Sequence, residues 1–266
     1  MKAKLTVIVP TFNRLRLLKV ALKSCMAQSI SNFDLLIIDN ASTDGTHEFL
    51  NSVQKEYPRI KVVFNETNIG ALRSLQKAID LVKTEWATVL CDDDCLESDF
   101  VKTTVALTSE NTSLIIVSHF ESDQSNETYV NVKSKLFQSQ LEALYMILSG
   151  RVRTAGVGGF AFKICSSGEL ALPKFPNGFF SDTFLVCQTC LQGGVVTTEE
   201  ALYRRTLWSG SETNLGGGAK NRSMYRKARM LFKIKMLGEL WKMPLADMCA
   251  QKIYLLKAVW SLATLR

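Results

Sequence analysis

Three consecutive aspartates, Asp92, Asp93 and Asp94, follow directly on an apolar run in "WATVLCDDDCLESDF", residues 86–100. Carboxylates this close repel one another and lose hydration at a buried strand end, so solvent, basic partners or a cation must compensate them. Hard oxygen donors suit Mg²⁺ or Mn²⁺, ions commonly held by one or two carboxylates together with substrate phosphates. In an extended segment Asp92 and Asp94 project to one side and Asp93 to the other, so alternate residues could grip one ion. Taken alone, the triplet also fits a solvated acidic turn.

The elements around the triplet give it a position. Five short runs rich in β-branched residues, 4–9, 34–39, 60–64, 86–91 and 114–118, read as strands, several of them apolar on both faces. Between them Leu15, Leu18, Leu22 and Met26 recur at helical spacing, as do Leu72, Leu75, Ile79 and Val82. Strand and helix in alternation predict an α/β fold, a mainly parallel sheet with helices on both faces. Ligands of such sheets bind beyond the carboxyl ends of the strands. The segments "PTFNR", "DNASTDGT" and "CDDD" all fall there. After residue 120 the pattern loosens. Helices are expected over 138–149 and 180–192, and strands beside "TAGVGGFAF" and over "GVVTTEEALYRR". The glycine-rich stretch 209–220 suits a lid or hinge.

"LTVIVPTFNR", "LLIIDNASTDGT", "NETNIGALRSL" and "ATVLCDDDCLESDF", in this order and spacing, resemble the family 2 glycosyltransferases of GT-A fold. The resemblance covers roughly residues 4–215 and is most specific over 4–100. It implies an inverting enzyme that moves a sugar from a nucleotide-diphosphate donor to a hydroxyl of a glycan or lipid-linked acceptor, in the synthesis of a bacterial-type surface polysaccharide. The triplet then matches the family's Asp-x-Asp motif, with Mn²⁺ or Mg²⁺ as cofactor held by Asp92 and Asp94. Asp92 could instead sit nearer the ribose, leaving Asp94 as the direct ligand; Asp93 joins the donor-binding set. Pro10, Thr11 and Asn13 would form the loop beside base and ribose, and Asp39 would accept hydrogen bonds from the nucleoside. Many relatives carry a second acid where this chain has Asn40, whose side-chain oxygen can still accept. Asn68 and Gly70 resemble the family's Asn-x-Gly loop near the nucleotide, and Arg73 could pair with phosphate. Asp182 matches the family's base aspartate, although Ser181 and Asp182 also look like helix-capping residues. Glu199 and Glu200 are the runners-up as base. Gly158 and Gly159 resemble a glycine-containing wall that admits substrate to the backbone. No histidine follows the last core strand in "LYRRTLWSGSETN", where relatives often complete the metal site; Arg204 or Arg205 could meet the diphosphate instead.

The totals agree with a globular enzyme. The 266 residues are 47% hydrophobic and 21% charged, outside the range of a disordered chain. The seven cysteines form no zinc-like Cys/His grouping, which leaves free thiols of a reducing compartment. The opening "MKAKLTVIVP" reaches a proline after a short apolar run, so no signal peptide and a cytoplasmic location are expected. The net charge of +7 is uneven. Residues 220–266 hold eleven Lys/Arg against Glu239 and Asp247, +9, which leaves 21 basic and 23 acidic residues, −2, in the rest. Two domains follow, a transferase domain over 1–218 (nucleotide-binding half to about 118, acceptor half and lid beyond) and a basic helical appendage over 219–266, broken near Pro244. Its apolar stretches fall short of a bilayer span, so it is expected to lie on an anionic membrane surface at the inner face of the cytoplasmic membrane. It could also pack on its own core or build a homo-oligomer contact. Two other classes share some features. A metal-dependent nucleotidyl- or phosphotransferase would want a phosphate-cradling glycine loop or lysine after the first strand, which "VPTFNRLRLL" lacks. A non-catalytic binder of nucleotide sugar or nucleic acid would, for nucleic acid, show strongly salt-dependent affinity; with the charge confined to the tail, no nucleic acid partner is expected.

Overall fold

The computed structural model describes residues 2–57, 59–123, 126–137, 139–164, 170, 172–173, 175, 180–207, 221–244 and 252–264. The first half alternates as expected: β1 (Leu5–Thr11), α1 (Leu15–Met26), β2 (Asp34–Asp39), α2 (Thr46–Glu56), β3 (Ile60–Phe64), α3 (Ala71–Asp80) and β4 (Trp86–Val89). There follow β5 (Cys95–Leu96), α4 (Phe100–Leu107), β6 (Thr112–Ser122), β7 (Glu127–Val130), β8 (Lys135–Leu136), α5 (Gln140–Leu148), β9 (Phe160–Lys163), α6 (Ser181–Cys190) and β10 (Gly194–Thr206). Two further helices close the chain, α7 (Asn221–Trp241) and α8 (Lys252–Thr264), on either side of Pro244. The glycine-rich stretch 209–220, expected as a lid, lies outside the described residues.

A single sheet runs β3-β2-β1-β4-β9-β6-β10-β5, with β7 on β6 and β8 on β10. Pairing is parallel across β3-β2-β1-β4 and between β6 and β10. It is antiparallel where β9 inserts between β4 and β6 and where the short β5, β7 and β8 join. The chain leaves β1 in one direction for β2 and β3, then crosses to β4 on the other side. That reversal between β1 and β4 opens a crevice beyond their carboxyl ends, where α/β sheets bind ligands.

Strand alternation divides the core into two layers. Leu5, Val7, Val9, Leu35 and Ile37 face one side, against Leu18, Ala21 and Leu22 of α1, Leu50 of α2 and Phe100 of α4. Ile8, Leu36, Ile38 and Val89 face the other, against Leu75, Ala78 and Ile79 of α3 and the apolar residues of α5 and α6. Helix α6 is buried nearly all round, from Phe184 to Cys190. Cys187 and Cys190 form a C-x-x-C spacing there, yet both are fully buried free thiols whose pKa burial pushes up, which makes them inert.

The basic tail is part of this second layer. Ala228, Phe232, Met236 and Leu240, at helical spacing on α7, and Ala258 and Leu262 of α8 are buried in the same cluster as α5 and α6. Phe232 sits among Phe175, Phe180 and Phe184, with ring centroids 6.2, 5.3 and 6.3 Å away. The tail therefore shares a hydrophobic core with residues 1–218.

Candidate active site

Loops after β1 and β4 meet at the sheet's reversal. Thr11 Oγ1 donates to Asp92 Oδ2 at 2.8 Å, and Arg14 Nη1 reaches Asp92 Oδ1 at 3.0 Å and Asp93 Oδ2 at 3.4 Å. The triplet is not extended. Asp94 N–H donates to the Cys91 carbonyl at 3.1 Å, closing a turn, so the even alternation expected of the three side chains does not hold. Asp92, expected beside Asp94 on the ion, points instead to Thr11 and Arg14. Among the described residues the groups that converge are Cys91, Asp93 and Asp94, whose ligand atoms lie within 4.8 Å of one another.

Asp94 is held from the far side by β10. Tyr203 O–H donates to Asp94 Oδ2 at 2.7 Å, and the Thr206 backbone N–H donates to Asp94 Oδ1 at 2.8 Å. The antiparallel pairing of β5 with β10, Leu96 opposite Tyr203, brings these groups across 109 residues of chain. Burial nevertheless pushes Asp94 up to about 7; the two hydrogen bonds and Arg205 lower it and Asp93 raises it. Asp92 is also raised by burial, with Thr11 and Arg14 opposing. Burial and the neighbouring carboxylates keep Cys91 a thiol and Tyr203 a phenol. Burial raises the Asp94 carboxyl for want of counter-charge, and the two convergent hard donors, Asp94 itself and Asp93, fit a divalent ion such as Mg²⁺ or Mn²⁺. The residues that would hold it are Asp94 and Asp93; the protonated Cys91 thiol is a soft, poor donor for such an ion.

The loops after β1, β2 and β3 are tied together by side chains. Asp39, fully buried at the end of β2, accepts from Ser42 Oγ at 2.5 Å, and Ser42 Oγ in turn accepts from Asn13 N–H at 2.8 Å. Asn13 Oδ1 accepts from Thr43 N–H at 2.7 Å, with Asn13 itself at φ 53°. Pro10, half-buried, precedes Thr11 at the end of β1. Asn40 Oδ1, expected to be available to the base, already accepts from Asn65 Nδ2 at 3.0 Å and from Ile69 N–H at 3.1 Å. Its Nδ2 donates to Asn68 Oδ1 at 2.8 Å, which also receives the Gly70 N–H at 2.9 Å. Asn40 thus fastens the 65–70 loop, and both lone pairs of its oxygen are taken. Gly70 has φ 86°, a left-handed value that glycine adopts without strain. Arg73 is exposed on the first turn of α3.

Asp182 stands in the first turn of α6, after Phe180 at φ 66°, and its Oδ1 accepts from Thr183 N–H at 2.7 Å. Its Oδ2 and Arg205 Nη2 each lie 3.9 Å from where a Gly156 side chain would begin, so the carboxylate and the guanidinium both border one small glycine. Arg205 pairs with Glu121 at 3.0 Å, and Arg153 approaches the same carboxylate at 3.7 Å. Arg204, the other arginine considered for the diphosphate, is committed to Glu97 at 2.9 Å and to Glu127. Glu199 and Glu200 are exposed on β10. Gly158 and Gly159 differ from the substrate-facing wall expected of them. A Cβ on Gly158 would lie 2.1 Å from Tyr203 Oη, and one on Gly159 3.0 Å from Ala155 Cβ. What approaches Gly158 is the tyrosine that holds Asp94. His119 is fully buried 3.7 Å from Glu121, and His47 packs against Phe64, tilted, with ring centroids 4.1 Å apart; neither joins the aspartates.

Arg14, Tyr203 and Thr206 were not among the residues expected here. Arg14 closes the "PTFNR" motif, and Tyr203 opens "YRRT" on the last strand, but only the fold supplies their partners.

Comparison with known proteins agrees with this architecture. The family described as Glycosyl transferase family 2 matches residues 6–165. Over 108 residues the chain is 35% identical to the Campylobacter jejuni protein named GalNAc(5)-diNAcBac-PP-undecaprenol beta-1,3-glucosyltransferase, a stretch that covers 40% of this chain and 35% of that protein. The chain thus spans about a third of that relative's length. Among solved structures, S. aureus TarS 1–349 in complex with UDP-GlcNAc superposes with a TM-score of 0.72 at 16% identity, over 96% of this chain and 70% of that one. The mannosyltransferase PcManGT from Pyrobaculum calidifontis, in complex with GDP-Man and Mn²⁺, superposes at 0.58 and 17% identity, over 99% and 75%. These likenesses share the GT-A fold with the present chain. The family match takes in more than half of the residues and includes the loops after β1, β2 and β4, and on that ground the chain belongs to glycosyl transferase family 2.

Proposed function

We propose that the protein is an inverting transferase that moves a sugar from a nucleotide-diphosphate donor to a hydroxyl of a glycan or lipid-linked acceptor in bacterial surface polysaccharide synthesis. The observation that carries the reading is the buried Asp94, clamped by Tyr203 and Thr206 of β10 beside Asp93, with Arg205 of the same strand next to Asp182 at Gly156. The donor nucleoside would lie across the β1/β4 reversal, against Pro10, Thr11, Asn13 and Asp39, with Asn40, Asn68 and Gly70 shaping the loop beside it. A divalent ion, Mn²⁺ or Mg²⁺, bound by Asp94 and Asp93 would offset the negative charge that develops on the departing diphosphate. Asp92 holds Thr11 and Arg14, so it fixes the β1 loop against the triplet.

Asp182 is the base. Its carboxylate takes the proton of the acceptor hydroxyl as that oxygen bonds to the anomeric carbon, while the carbon–oxygen bond to the diphosphate breaks on the opposite face. One such displacement inverts the anomeric centre. Arg205, anchored by Glu121, keeps a positive charge near Asp94 that favours its ionised form, and its guanidinium shares the surroundings of Gly156 with Asp182.

The relative named for an undecaprenol-linked substrate supports a lipid-linked acceptor, and with it a peripheral position on the inner face of the cytoplasmic membrane. The test is release of nucleoside diphosphate from a panel of nucleotide sugars with Mn²⁺, beside Asp182→Asn. The variant should lose about 10²- to 10⁴-fold of transfer, the usual share of a general base, while binding nucleotide as the wild type does. Undiminished transfer by the variant would remove Asp182 from the mechanism.

A further inference from the structure

The two tail helices each bury one face and expose another that is just as apolar. On α7 the buried residues are Ala228, Phe232, Met236 and Leu240; on the opposite side Met230, Ile234, Leu237 and Trp241 recur at i, i+4, i+7 and i+11 and are exposed. On α8, Ala258 and Leu262 face the core, while Ile253, Leu256 and Trp260, at i, i+3 and i+7, face away. Trp241 is 86% and Trp260 66% exposed. A helix of a monomer in water carries polar residues on its outer face, so two neighbouring apolar stripes mark a contact surface.

The helices lie over one layer, α7 against α6 and α8 against α5, and Lys233 Nζ of α7 donates to the Ala263 carbonyl of α8 at 3.0 Å. Both stripes turn away from that layer. Around them Arg226, Lys227, Lys235, Lys252 and Lys257 are exposed, in a segment whose sequence carries +9. That charge selects the occupant. A second copy of the surface would bring the same positive charge against it, whereas an anionic lipid surface complements it and accepts the tryptophans at its interface. No described helix is long and apolar enough to cross a bilayer.

We infer that the outer faces of α7 and α8 form an amphipathic docking surface for anionic phospholipid, lying in the interface plane with Trp241 and Trp260 inserted. The inference deepens the membrane-proximal reading of the function by naming the surface and the lipid charge it takes. It also bears on the catalytic helix, because Phe232 and Tyr225 of α7 pack on Phe180 at the start of α6, two residues before Asp182.

The test is flotation of the full chain with phosphatidylcholine vesicles, with and without one third phosphatidylglycerol, read alongside tryptophan fluorescence and metal-dependent nucleotide binding. Binding to the anionic vesicles, with a blue shift and a fall at high salt, is expected. Trp241→Ser/Trp260→Ser should weaken it about tenfold or more, and Lys235→Gln/Lys252→Gln by a similar factor, since each basic residue near the surface contributes about 1 kcal/mol. Nucleotide binding should be unchanged in both. Absence of vesicle binding by wild type that still binds nucleotide, equal binding by both variants, or a wild-type dimer dispersed by the tryptophan substitutions would overturn the inference. Vesicle binding without any nucleotide binding would sustain the surface and overturn the transferase reading instead.

Discussion

Asp94 is the residue on which the proposed donor binding turns, and its environment predicts a pH dependence. A carboxyl whose folded pKa is raised to about 7 keeps its proton between its ordinary value and pH 7, where the unfolded chain has lost it. In the metal-free protein its contribution to stability therefore falls as pH rises from about 4 towards 7. A divalent ion must displace that proton, so Mn²⁺-supported nucleotide affinity should fall by up to about tenfold per pH unit below 7 and level off above it. Titrations at pH 6, 7 and 8 check this, and an affinity constant across that range would contradict it. Tyr203→Phe removes the donor to Asp94 Oδ2 without changing the ring. Leaving a buried carboxylate short of a hydrogen bond costs about 1–3 kcal/mol, so the variant should bind metal and nucleotide about tenfold or more weakly and need a higher pH to reach its plateau. If Tyr203 were only a packing residue, thermal stability would change and the pH profile would not. The sequence shows that three aspartates stand at a strand end. It does not show that the Cys91–Asp94 turn redirects Asp92 to Arg14, because an extended run and a tight turn have the same letters.

Strands and helices with a strong apolar period were readable, since β1 to β4, α1 and α3 meet their layers through residues at strand or helix spacing. The short β5 was not, because a two-residue strand has no period; a strand beside "TAGVGGFAF" was readable, but the antiparallel insertion of β9 between β4 and β6 depends on its neighbours and was not. Yet β5 and β10 together carry Tyr203 to Asp94. Gly158 serves that pairing. Gly158→Ala would put a methyl 2.1 Å from Tyr203 Oη and against its ring, so the substitution should displace the tyrosine and mimic Tyr203→Phe in the pH profile, with a larger loss of stability. Wild-type behaviour of Gly158→Ala would show that the close approach is relaxed in solution. Helix α6 depends in the same way on α7. Phe232→Ala empties a ring position among Phe175, Phe180 and Phe184 and should cost about 3–5 kcal/mol in denaturant unfolding, with transfer lost more than nucleotide binding, because Asp182 sits at the loosened end.

Across the whole molecule, one sheet carries the proposed donor and acceptor sides, and β10 runs between them. Its last residues hold Asp94 through Tyr203 and Thr206 and reach towards Asp182 through Arg205. The tail closes the second layer on one face and offers charge and apolar surface on the other. The identity of the tail as a basic amphipathic segment was legible from its charge count and spacing. Its share in the core was not, because the burial of Phe232 depends on rings more than forty residues earlier in the chain. The central claim is that a nucleotide and a divalent ion meet at Asp94. Isothermal titration of the protein with a panel of nucleoside diphosphates, with Mn²⁺ and with chelator, beside Asp94→Ala, tests it most directly. Binding of one nucleotide that requires the metal and is lost in the variant is the predicted result; nucleotide binding of equal strength with chelator, or in Asp94→Ala, would contradict it.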